Sequence, residues 1–129
     1  MRQLTRSVPL LTPVLIVLLI LSTGFKVVDP TREQVARSIV NKLNNEQYQA
    51  VYEQFHALVR QNLQVQTVQQ SWSNLLVQLG EFERVLSVTE FNNLGYDVVL
   101  VRCKFRRDNA NVEITLNADN KIFGLYFKP

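Results

Sequence analysis

The sequence predicts an α+β domain in which three N-terminal helices pack on a curled four-stranded antiparallel sheet, with a signal or anchor segment in front. Three observations carry that expectation. Apolar residues recur at helical spacing from Val35 to Leu79, the period falls to two after Gly80, and residues 1–24 run from basic to apolar to small side chains.

In the N-terminal segment Arg2 and Arg6 precede the apolar run Val14 to Leu21, and Ser22, Thr23 and Gly24 follow it without an acidic residue anywhere in the stretch. Such an order suits a secretory signal. The basic end is held in the cytoplasm, a short apolar run enters lipid, and the peptidase cleft takes small side chains. Cleavage after Gly24 fits. An uncleaved anchor is the alternative, because the stretch from Val8 to Val28 approaches the roughly 20 residues that span a hydrocarbon core, although Pro9, Pro13 and Lys26 interrupt it. Either way residues 25–129 are expected outside the cytoplasm: secreted, periplasmic, or held on the outer side of the cytoplasmic membrane. Membrane contact is expected only through residues 8–28 of an uncleaved form.

The first helix starts at Asp29-Pro30-Thr31-Arg32-Glu33, where Asp29 or Thr31 supplies a cap oxygen and Glu33 places negative charge near the positive end of the helix dipole. Val35, Ile39, Val40 and Leu43 give it one apolar face, so it is expected over about residues 31–43. Asn44-Asn45 break it. A second stripe comprises Tyr48, Val51, Tyr52, Phe55, Leu58 and Val59. The third comprises Val65, Val68, Trp72, Leu75, Leu76 and Leu79, and Gly80 can end it in the left-handed conformation.

Beyond Gly80, residues 82–91, 96–106, 111–117 and 121–127 read as strands rich in Val, Ile, Phe, Tyr and Thr. Asn92-Asn93-Leu94-Gly95, Arg107-Asp108-Asn109 and Ala118-Asp119-Asn120 supply the turns. Connections this short join antiparallel neighbours, so a meander is expected. Val99, Val101, Cys103 and Phe105 share one face of the second strand, and Val112, Ile114 and Leu116 one face of the third. Helices are therefore expected to cover one side of the sheet and to leave a cone with an open end.

Composition removes several function classes. With 129 residues, 47% hydrophobic, 19% charged and only four Gly and four Pro, the chain is neither disordered nor of low complexity. One cysteine and one histidine supply neither an intramolecular disulfide nor a Cys/His zinc site, and no metal or other cofactor is expected. The sequence pI of 9.2 invites a nucleic-acid reading. Taking Arg2 and Arg6 from the 14 Lys and Arg leaves 12 against 11 acidic residues, so the mature chain is nearly neutral. The one basic cluster, Arg102, Lys104, Arg106 and Arg107, is expected to be the solvated edge of a strand, and no nucleic-acid partner follows from it.

Particular residues also carry a family resemblance. Ala36-x-x-Ile39-Val40-x-x-Leu43, Tyr52-x-x-Phe55, Trp72-x-x-Leu75 with Gly80-x-Phe82, and above all Val112-x-Ile114-x-Leu116-x-x-Asp119-x-Lys121-Ile122-x-Gly124-Leu125-x-Phe127-x-Pro129 resemble the bacterial domain of unknown function 3887. That resemblance implies the NTF2-like, cystatin-like cone fold. Some members precede an α/β-hydrolase domain, no part of which is found in this stretch of 129 residues, and the family brings no catalytic residues with it.

Two functional classes follow. One is a non-catalytic binding or interaction module of the cell envelope, which holds a small apolar or peptide-like ligand in the cone or forms a homodimer through its sheet. Tyr48, Tyr52, Trp72 and Tyr126 are its candidate pocket residues, and Val98 and Leu100, which make the outer sheet face apolar, its candidate interface. The other is a small pocket enzyme of isomerase or lyase type with His56 or Asp97 as general base. Cys103 is expected to pack as a small hydrophobe.

Overall fold

The computed structural model describes residues 30–129, so the signal or anchor segment over residues 1–24 lies outside the described residues. Helix α1 runs Pro30–Asn44, α2 Tyr48–Gln54, α3 Ala57–Arg60 and α4 Val65–Leu79, followed by β1 Phe82–Asn93, β2 Tyr96–Phe105, β3 Asn109–Leu116 and β4 Ile122–Lys128. All neighbouring strands are antiparallel and the order is β1-β2-β3-β4, an open meander with β1 and β4 as its edges. Among the described residues, no helix is long and apolar enough to cross a membrane.

Ala36, Ile39, Val40 and Leu43 recur at one helical face of α1 and are all buried, because α1 lies across β1 and β2. Helix α2 sits between α1 and α4, and α4 runs beside β4. The sheet gives this layer a continuous apolar surface: Val99, Val101, Cys103 and Phe105 of β2 and Ala110, Val112, Ile114 and Leu116 of β3 are all buried. Trp72 of α4 is the largest side chain in the core. Its ring centroid lies 6.2 Å from Phe82, 5.8 Å from Phe105 and 5.6 Å from Phe127, one ring from each of β1, β2 and β4.

The second apolar stripe does not make one helix. Phe55 and His56 adopt extended backbone (ψ 146° at both), which divides the stripe into α2 and the single turn α3, so the described residues hold four helices where three are expected. The cause is tertiary. The His56 N–H donates to the Ile122 carbonyl at 2.9 Å, and Phe55 forms an isolated parallel bridge with Ile122 on the edge of β4. No Gly or Pro marks the break. The sheet edge competes for the backbone groups that a continuous helix would use.

The basic cluster becomes part of the fold. The Arg107 guanidinium donates to the Val77 carbonyl at 2.7 Å and the Gln78 carbonyl at 3.3 Å, satisfying acceptors that the end of α4 leaves open. Gly80, at φ 85°, turns the chain there, and an added Cβ would meet the Arg106 Cβ at 2.9 Å. Lys104 pairs with Glu83 at 3.3 Å, Arg106 with Glu81 at 3.5 Å, and Arg102 donates to Asn111 at 3.1 Å.

The β1–β2 hairpin closes on Leu94 (φ 53°) and Gly95 (φ 86°) next to the pair Asn93 and Tyr96. Two successive residues at positive φ make a type I′ turn, which favours Asn at its first central position. Leu94 occupies that position at 92% exposure, so its side chain gains nothing from burial. Leu94→Asn is expected to raise stability by about 0.5–1 kcal/mol, a fraction of the left-handed cost of an ordinary side chain. Urea denaturation followed by Trp72 fluorescence measures it, and an unchanged or lower midpoint would show that Leu94 is held by something beyond the turn.

Candidate ligand groove beside strand β4

Strand β4 and the chain from Phe55 to Ser71 enclose a groove of about 200 Å³. Phe55, Val59, Leu63 and Val68 line one side, with the Thr67 and Ser71 hydroxyls at its rim, and Phe123 through Phe127 line the other. The Ser71 hydroxyl donates to the Thr67 carbonyl at 2.9 Å. A shallower continuation passes between α4 and β4 along Asn74, Leu75 and Gln78 to Lys128 and Pro129. Among the described residues, the lining of the groove proper carries no acidic, basic or imidazole side chain.

Local irregularity shapes its β4 wall. Thr115 pairs with Gly124 but Leu116 with Ile122, so Phe123 is the extra residue of a bulge. Its ring lies 4.7 Å from the His56 ring and 5.3 Å from the Tyr96 ring. Gly124 is there for space: a Cβ would lie 2.8 Å from the Tyr126 ring. That ring, 54% exposed, covers Gly124 beside the groove.

The four aromatic pocket candidates part company here. Tyr126 lines the groove. Trp72 and Tyr48 belong to the core, and the Tyr52 hydroxyl donates to the Arg60 carbonyl at 3.3 Å, tying α2 to α3. Both candidate bases have structural partners. His56 caps α3, its Nδ1 accepting the Leu58 N–H at 3.1 Å, and it stacks on Phe123 from outside the groove lining. Asp97 lies on the helix-facing side of β2, in register with Leu116 of β3, 2.7 Å from the Arg32 guanidinium and 3.4 Å from the Asn92 amide. Glu90 joins this group at 3.7 Å from Arg32.

On the outer face of the sheet Val98 is 3% exposed, in register with Phe91 and Thr115, and Leu100 is half-buried. The exposed apolar surface there belongs to Phe91 at 48% and Tyr96 at 40% rather than to Val98 itself. The groove residues Leu63, Thr67, Ser71 and Phe123 were not singled out by pattern. Leu63 was the available signal, an apolar residue in the α3–α4 connection that no helical stripe claims. Glu90 was missed because two register shifts in β1, between Phe82 and Arg84 and between Val85 and Ser87, reset which of its residues face inward.

The family model described as a protein of unknown function, DUF3887, matches residues 36–125. Among curated proteins, the esterase EstD of Thermotoga maritima is 26% identical over 96 residues, which make up 74% of this chain and 23% of that protein. The chain therefore spans about a quarter of the length of that relative. No solved structure matches it significantly.

Cys103 sits outside the groove, in the core of β2, and burial pushes its thiol from 9.0 up to about 11. Two consequences follow from that direction. At pH 8 a thiol reagent is expected to label the native protein far more slowly than the urea-unfolded chain. Between about pH 9 and 11 the unfolded chain releases the thiol proton and the folded one keeps it, so Cys103 lowers stability as pH rises through that window. Equal labelling rates in the native and unfolded states would refute the buried placement.

Proposed function

The chain belongs to the DUF3887 family, and from that premise we propose that it is a non-catalytic binding or interaction module of the NTF2-like, cystatin-like cone type that works outside the cytoplasm. It holds a small apolar or peptide-like ligand in the groove beside β4. The observation that carries this reading is the groove itself, an apolar concavity open to solvent whose lining has hydroxyls but no general base. The order of helices followed by a four-stranded meander supports the cone assignment, and the signal-like order of residues 1–24 supports export.

An isomerase or lyase built on His56 or Asp97 has less in its favour, since neither side chain lines the groove and each already holds a structural partner. Esterase chemistry belongs to the named relative. In this domain the groove hydroxyl of Ser71 is bonded to a backbone carbonyl, with no imidazole among the lining residues. Homodimerisation through the sheet keeps one observation of its own, the exposed Phe91, Tyr96 and Tyr126 on the face away from the helices.

Native mass spectrometry of the protein purified from the envelope fraction of its own host tests the reading. A retained mass of a few hundred daltons, or a dimer, is the expected result, and a bare monomer recovered from the cytoplasm would sink it. His56→Ala and Asp97→Asn are expected to lower stability by about 1 kcal/mol each, through the lost cap and the weakened ion pair. Neither should abolish ligand retention. Loss of ligand in a variant that keeps its unfolding midpoint would return that residue to the site.

A further inference from the structure

Five consecutive residues of β4, Phe123 to Phe127, line the groove. Side chains alternate between the two faces of a strand, so an unbroken run can line a cavity only if the backbone edge itself forms part of the wall. That edge is free. Strand β4 is the last of the sheet, and among the described residues its one backbone bond away from β3 outside the strands is the His56 N–H to the Ile122 carbonyl. At that point the chain lays its own extended Phe55-His56 alongside β4 in parallel, and then turns away into α3. Beyond Ile122 the edge continues along the groove, and among the described residues no backbone is paired to it.

The two edges of the sheet are treated differently. Strand β1 carries two register shifts and the charged residues Glu83, Arg84 and Glu90, which are the ordinary defences of an exposed edge. Past its single bulge at Phe123, β4 reads Gly124-Leu125-Tyr126-Phe127 with no charge before Lys128 and no proline. An undefended edge set in an apolar groove is the geometry of strand addition.

We propose that the β4 edge takes an extended segment of a partner polypeptide as a parallel fifth strand, continuing the line that Phe55-His56 begins. This deepens the binding reading above and rests on it. The segment is uncharged, since the lining offers no counter-charge. It is apolar at alternate positions, which sit against Val59, Leu63 and Val68, and about five or six residues long to match the open edge at roughly 3.3 Å per residue. A second copy of this chain is disfavoured as the guest, because two-fold pairing of β4 with itself is antiparallel whereas the bridge at Ile122 is parallel.

The test uses the full chain and a fluorescein-labelled, end-capped heptapeptide of alternating Val and Ser, read by anisotropy and by the amide NMR signals of residues 123–128. Saturable binding that moves those signals is expected. Methylation of alternate peptide nitrogens should weaken it about tenfold or more, because the backbone donors are lost while the side chains remain. Ser71→Arg, which puts a long charged side chain into the groove from an exposed position on α4, should do the same while leaving the Trp72 emission and the unfolding midpoint in place. Equal binding of the methylated peptide would overturn strand addition and leave groove binding standing. So would a retained small molecule in native mass spectrometry with no peptide response at residues 123–128. A dimer whose β4 amides are already protected would overturn the proposal in favour of a second copy, and absence of both peptide and retained ligand would remove the binding reading with it.

Discussion

Everything in this domain depends on the contact between Trp72 and the sheet. A single indole from α4 meets a phenyl ring from each of three strands, and Phe82 and Phe105 are themselves 5.7 Å apart. Burial of aromatic area on this scale is the largest apolar contribution that one side chain can make. It also sets geometry. With α4 pinned over the end of the sheet where Phe82, Phe105 and Phe127 converge, the helix runs beside β4, and the chain between α2 and α4 forms the opposite wall of the groove. The groove is thus a by-product of how the core is closed.

Much of the architecture was legible because period and burial agree residue by residue. Ala110, Val112, Ile114 and Leu116 are buried and their neighbours in β3 are not, as alternation requires. The α1 stripe matches the buried face of its helix for the same reason. What local pattern could not contain was the break at Phe55-His56, since the competing interaction lies at Ile122, far along the chain. The same limit hid the groove. It is assembled from one face of a helix, a connection and the edge of the last strand, and edge status is a property of sheet order rather than of any residue.

The candidate residues divide along that line. Tyr126 was singled out as an aromatic with a polar tip and does line the groove, whereas Tyr48 and Trp72 have the same local appearance and fill the core. Residue type alone does not distinguish these fates. His56 stood out as the lone histidine, and its position at a chain break gives it a capping role that composition cannot foretell. The basic cluster carried a more readable message: once the N-terminal arginines are set aside, four cations among carboxylates and helix-end carbonyls have internal partners within reach.

Arg107 links two parts of the chain that are made at different times. The last turn of α4 is completed by a guanidinium 30 residues further on, together with the Arg107 N–H to the Leu79 carbonyl at 2.8 Å. During synthesis the helix leaves the ribosome before the residues that close it, so its C-terminal turn frays until the β2–β3 corner arrives. The helical half therefore completes its last turn only once the second half has folded against it.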